Sequence, residues 1–185
     1  MPTARANQSR DSAKLVELAA RLMHEDALED PAKALRRAAK QLGQLPNRWP
    51  DVDEVKSALK ARLHLFEPDH AEPLRAQRVA ALEALSFFKD FSVRLTGAVA
   101  DGSALPSSTI ELELHAEHAD EVMHFLLDKR IPIDQKTAAG RALVQFEFVA
   151  GAFNYRLSVI TPDSPARRSV VGIDAAQLSR LLGSS

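Results

Sequence analysis

Near residue 90 the apolar residues of this 185-residue chain change their period, and that change limits the fold more than any single motif does. Before it, apolar residues recur three and four positions apart, the repeat of a helix with one buried face. After it they alternate, the repeat of a half-buried strand. Helices first and strands mostly second is an α+β order, not the regular alternation of a parallel α/β fold.

In the first half, residues 1–10 read as a disordered tail, and Leu15, Leu18, Ala19 and Leu22 line one helical face. Asp30-Pro31 predicts the start of a second helix and Gly43 its stop, because proline suits the first helical position and glycine the left-handed residue after the last turn. Residues 44–50, with two prolines and the chain's one Trp, read as a loop. Asp51 or Asp53 caps a third helix to about Phe66, with Val55, Leu59, Leu63 and Phe66 inward. Pro68 and Pro73 interrupt the chain, and a longer helix follows with Leu74, Ala81, Leu82, Leu85 and Phe88 facing inward.

In the second half, residues 91–95 form the first strand candidate. Residues 109–115 alternate Ile110, Leu112 and Leu114 with Thr109, Glu111, Glu113 and His115. Asp120 is placed to cap a helix to about Lys129, with Val122, Met123, Leu126 and Leu127 as its apolar stripe. Residues 131–135 read as a short strand, and 143–149 and 153–160 as two strong ones joined through Ala150-Gly151-Ala152 as a hairpin. A polar loop over 161–168 and a helix over 173–182 complete the order.

Composition narrows the chemistry. With no cysteine, disulfides, thiolate metal sites and a cysteine nucleophile are excluded. A formal net charge of −1 gives no global attraction to nucleic acid or membrane, so such a partner would need a local patch. Residues 1–14 are polar, unlike a secretory signal, and no run of about 18 apolar residues exists to span a bilayer. A cytoplasmic protein with no membrane partner is the expectation.

Residues 97–114 read Gly-Ala-Val-Ala-Asp-Gly-Ser-Ala-Leu-Pro-Ser-Ser-Thr-Ile-Glu-Leu-Glu-Leu. The segment resembles the motif of the DNA polymerase beta-like nucleotidyltransferase superfamily. There a strand ends in a Gly-Ser or Gly-Gly turn, a second glycine follows, and Ser-Asp-x-Asp puts two aspartates on one face of the next strand. A glycine turn lets backbone N–H groups approach a triphosphate. Carboxylates at i and i+2 of a strand share a face and, with a third from a later strand, hold two Mg²⁺ ions. Gly97, Gly102 and Ser108 match the pattern, whereas Ala98 and Thr109 replace a turn residue and the first aspartate. Glu111 stands at the second aspartate, and the place of the third carboxylate falls near Arg156.

The stretch from His24 to Gly43, residues 125–132 and Phe146-Glu147-Phe148 also look like an uncharacterised proteobacterial nucleotidyltransferase-like family. Together the resemblances imply an α+β fold: a nucleotidyltransferase-like mixed sheet with flanking helices over 69–185, preceded by a helical region over 11–68. They imply a bacterial source and nucleotide-binding positions at Gly97, Gly102, Ser103 and Ser108.

Glu111 and Glu113 are the candidate catalytic carboxylates, Glu111 the candidate metal ligand, though two solvated glutamates on an open sheet face explain the same pattern. Strand parity puts Arg156 on the polar face with Asn154 and Ser158, where it would pair with Glu111 or Glu113 as a cation in place of metal charge. His115, His118 and Asp120 straddle a strand end and a helix start and read as a cap and exposed histidines. Ser103, Ser107 and Ser108 lack triad partners and read as turn residues, with Ser108 a candidate to face a ligand. Lys33, Arg36, Arg37 and Lys40 form a basic stripe followed by Arg48. The stripe would suit nucleic-acid phosphates, although no aromatics interleave it and a solvated helix face is the plain alternative.

Two functions follow from these residues. One is a catalytically degraded nucleotidyltransferase fold acting in binding or interaction, with no cofactor and with a nucleotide or nucleic acid as candidate partner. The other is an active Mg²⁺-dependent nucleotidyltransferase moving a nucleoside monophosphate to an unknown acceptor, with Glu111 and Glu113 on the metal.

Overall fold

The computed structural model describes residues 3–43, 46, 48–136, 142–161 and 172–183. It divides into two compact units, residues 1–71 and 72–185.

The first unit holds helices α1 (Thr3–Glu25), α2 (Pro31–Leu42) and α3 (Val52–Phe66). The helix begins at Thr3, where the sequence suggests a disordered tail: once a helix is nucleated, each further residue adds a hydrogen bond at little cost, and 3–10 contain neither Gly nor Pro. Asp30 caps α2 through Ala32 and Lys33, Pro31 takes the first position, and Gly43 closes it at φ +65°. Leu15, Ala19, Leu22 and Met23 of α1, Ala34, Leu35, Ala38 and Ala39 of α2, and Val55, Leu59 and Leu63 of α3 are buried. Phe66, expected inward, is 61% exposed and lies under the Arg62 guanidinium at 4.8 Å. Arg62 also joins α3 to α1, donating to Glu25 at 2.9 Å and to His24 Nδ1 at 3.2 Å.

The second unit begins in α4 (Ala71–Phe87), which includes Pro73 in its first turn, where no intrahelical N–H bond is lost. Then come β1 (Ser92–Thr96), the short helix α5 (Gly97–Asp101), β2 (Ile110–His115), α6 (Ala119–Asp128), β3 (Asp134–Lys136), β4 (Val144–Ala150), β5 (Phe153–Ile160) and α7 (Ala175–Gly183). The five strands form one mixed sheet in the order β1-β2-β5-β4-β3; β2 and β5 are parallel and the other pairs antiparallel. This is an α+β fold with flanking helices.

Several expectations shift. The glycine turn after β1 contains one turn of helix, and Asp120 lies in the first turn of α6, whose cap position is His118. The strand expected at 131–135 sits at Asp134–Lys136, and Leu127 of α6 is 53% exposed. The loop predicted at 161–168 lies outside the described residues except for Thr161, as do residues 44, 45 and 47 of that at 44–50. Ile173, expected in the last helix, is extended instead: its N–H and C=O both bond to Leu95 at 2.9 Å, on the free edge of β1.

Alternation buries one face of the sheet. Leu95, Ile110, Leu112, Leu114, Leu157, Val159, Val144 and Phe146 form one core with Ala80, Ala81 and Leu85 of α4, Phe88, Val122 and Leu126 of α6 and Leu178 of α7. Truncating one of these leucines would cost about 2–5 kcal/mol. Tyr155 joins the core, its ring stacked on Phe148 at 5.1 Å and its hydroxyl donating to Ala80 O at 3.3 Å.

Candidate functional site

The same alternation leaves a polar face, and register arranges it in rows. Thr96, Glu111, Arg156, Glu147 and Asp134 are partners across all five strands. Arg94, Glu113, Ser158, Gln145 and Lys136 make the next row, and Ser92 and His115 begin a third with Ile160.

Arg156 is the hub of the first row. Its Nη1 lies 3.2 Å from Glu111 Oε1 and its Nε donates to Glu147 Oε1 at 3.1 Å. The three side chains are each about a third exposed, so water screens the pair energies, yet the guanidinium separates two carboxylates that would otherwise repel. Strand parity foretold a partner among Glu111 and Glu113; the structure makes it Glu111. Glu147 was not singled out from the sequence, although Gln145 and Glu147 alternate with Val144, Phe146 and Phe148.

Glu111 is held from a second side. Gly97 has φ +70°, and a Cβ built on it would overlap the Glu111 carboxylate, with Cδ only 2.9 Å away. The carboxylate therefore rests on the glycine turn itself. Glycine is required there twice, for its positive φ and for this close approach.

Glu113 is buried, and its Oε1 is 3.4 Å from Nε2 of His115. That histidine side chain is 11% exposed, not on the surface as its position near a strand end suggested. Glu113 and Glu111 share a face of β2, Glu111 beside Arg156 and Glu113 beside His115.

The candidate nucleotide-binding serines are turned inward. Ser103 is buried, and its N–H and hydroxyl both donate to Asp101 Oδ1, at 2.9 and 2.6 Å. Ser108 Oγ accepts from Leu105 N at 2.9 Å, closing the turn that crosses to β2. Gln77 of α4 is buried and donates to the carbonyls of Leu105 at 2.9 Å and Ser108 at 3.3 Å, fastening the loop to the helix. Gly102 ends α5 at φ +84°. Beside it Arg78 donates to Val99 O at 3.2 Å; burial pulls its pKa below the ordinary value, and the Asp101 carboxylate opposes the drop. Gln77 and Arg78 escaped sequence reasoning because both sit inside a helical pattern with nothing local to mark their distant partners.

On the other unit, Lys33, Arg36, Arg37 and Lys40 are all exposed on α2, and Arg37 pairs with Asp26 at 2.8 Å. Among the described residues, no group of three or more His, Cys, Asp or Glu side chains is placed to hold a metal ion, and no helix is long and apolar enough to cross a membrane.

No protein-family model matches the sequence. No curated protein matches it. Among solved structures, the chain is similar to a cytoplasmic RNA terminal U-transferase at 15% identity and a TM-score of 0.31, over 50% of this chain and 29% of that one. It thus spans less than a third of that protein's length.

Proposed function

We propose that the sheet unit is a nucleotidyltransferase-like fold that has lost its metal-dependent chemistry and serves in binding or interaction. The observation that carries the reading is the placement of Arg156 between Glu111 and Glu147. In the motif that residues 97–114 resemble, the equivalent face gathers carboxylates around Mg²⁺. Here Thr109 offers no carboxylate, Glu111 is joined to a guanidinium and rests on Gly97, and a cation stands on the strand where a third ligand belongs. Mg²⁺ needs near-octahedral oxygen coordination and would meet a fixed positive charge. These residues do not fit the ion.

Isothermal calorimetry with MgATP tests the reading. No saturable heat is expected for the whole chain. Tight MgATP binding, together with label transfer from any nucleoside triphosphate that Glu111→Gln abolishes, would establish the opposing view of an active nucleotidyltransferase with Glu111 and Glu113 as its carboxylates.

A further inference from the structure

We propose that the exposed face of α2, with Arg48 and Trp49 beyond its C-terminal end, binds single-stranded nucleic acid through several phosphate contacts and one stacked base.

The helix carries four cations and no acidic residue. Its buried residues, Ala34, Leu35, Ala38 and Ala39, fix the orientation, so Lys33, Arg36, Arg37 and Lys40 all face outward. Their i, i+3, i+4, i+7 spacing makes one stripe about 10 Å long. Cations on an ordinary solvated face commonly have carboxylates nearby, and several elsewhere in this unit do: Arg21 pairs with Glu25 and Arg62 with Glu25 and Glu17, while Lys56 and Lys60 also have partners. Within the stripe, Arg37 alone is paired, with Asp26. Lys33, Arg36, Lys40 and Arg48 form no ion pair among the described residues. The only other such cations among the described side chains of this unit, Arg10 and Lys14, lie on α1.

No aromatic interrupts the stripe, but one follows it in the sequence: Arg48 and Trp49 lie between α2, which ends at Gly43, and Asp51, the cap of α3. Trp49 is 44% exposed, an unusual degree of exposure for the largest apolar side chain. Unpaired cations on one helix face, with an open aromatic ring a few residues on in the chain, suit a strand whose bases are free to leave the stack; a duplex offers no such base. A membrane surface would call for large apolar residues among the cations; none is exposed between Lys33 and Lys40, and the exposed Leu42 only follows the stripe.

The stripe belongs to the first unit and the sheet face to the second, so oligonucleotide binding and MgATP binding are read by separate titrations. Trp49 is the only tryptophan, so its fluorescence reads the site directly. The full chain is titrated with an oligodeoxythymidylate of about 15 nucleotides, the upper range of single-strand site sizes. Saturable quenching is expected, with log K falling against log salt at a slope of about −2 to −3, from about 0.7 per phosphate contacted. The triple variant Lys33→Ala, Arg36→Ala, Lys40→Ala should flatten that slope by about 2. Trp49→Ala, followed by anisotropy of a labelled oligonucleotide, should weaken binding about tenfold and leave the slope unchanged. Circular dichroism checks that both variants keep their helices. Absence of binding, binding that leaves Trp49 unquenched, an unchanged slope in the triple variant, or tighter binding to phosphatidylserine vesicles than to the oligonucleotide each overturns the assignment.

Discussion

Glu111 and Arg156 face each other across β2 and β5, with Nη1 3.2 Å from Oε1, and the same guanidinium turns its Nε to Glu147. Removing the cation leaves two half-buried carboxylates, on the strands either side of β5, without the charge that separates them. Arg156→Ala should therefore lower stability by about 1–2 kcal/mol, between the values for exposed and buried broken pairs. Millimolar Mg²⁺ should then raise the melting temperature of the variant but not of the parent. Differential scanning calorimetry decides it, and an equal gain in both proteins would remove the basis for the degraded-site reading.

Gly97→Ala forces an L-residue into φ +70° and drives its methyl into the Glu111 carboxylate. The expected loss is about 2–3 kcal/mol, of which the backbone part is about 1–2. Glu111→Ala in the same chain should relieve the steric part, so a denaturant-based double-mutant cycle should show a coupling of about 1 kcal/mol. Strict additivity would mean that the carboxylate does not rest on the turn.

Gln77→Leu keeps the volume of a buried side chain and removes the donor held by the Leu105 and Ser108 carbonyls. Gln77 Oε1 has no hydrogen-bond partner among the described residues, so the leucine also relieves one unmet acceptor. A net loss of about 1–2 kcal/mol is expected. Hydrogen exchange should quicken at the amides of Leu105 and Ser108, and unchanged protection there would show that the loop holds itself.

Tyr155 is the chain's only tyrosine, and burial, with a smaller contribution from the Glu83 charge, raises its pKa above the ordinary 10. The folded state thus holds the phenolic proton more tightly than the unfolded one. This contribution to stability is complete below pH 10 and is lost as pH rises through the folded-state value. Absorbance at the phenolate band should show titration starting above pH 10 and merging with alkaline unfolding. In Tyr155→Phe the stability should fall less steeply over that range.

What could be read from the sequence was mostly what is local. Asp30, Pro31 and Gly43 mark both ends of α2 because caps act within one turn. The faces of β2 and β5 follow from strict alternation, which was enough to put Arg156 beside the glutamates of β2. Its second partner was hidden, because Glu147 becomes opposite Arg156 only through the register of β4 with β5. Ile173 sits in an apolar pattern that suits a helix, and only a partner 78 positions earlier makes it extended. Phe66 fits the inward spacing, yet the helix ends there and the ring turns to Arg62.

The pairing of Leu95 with Ile173 also sets a sequence of events. Strand β1 precedes β5 by more than fifty residues and receives its outer neighbour later still, so the sheet cannot be finished at one edge until that distant stretch of chain is available. Until then β1 displays a row of unanswered amide and carbonyl groups, the kind of edge that recruits other chains. During synthesis, the interval between the emergence of β1 and that of Ile173 is therefore when the sheet unit is most open to misassociation.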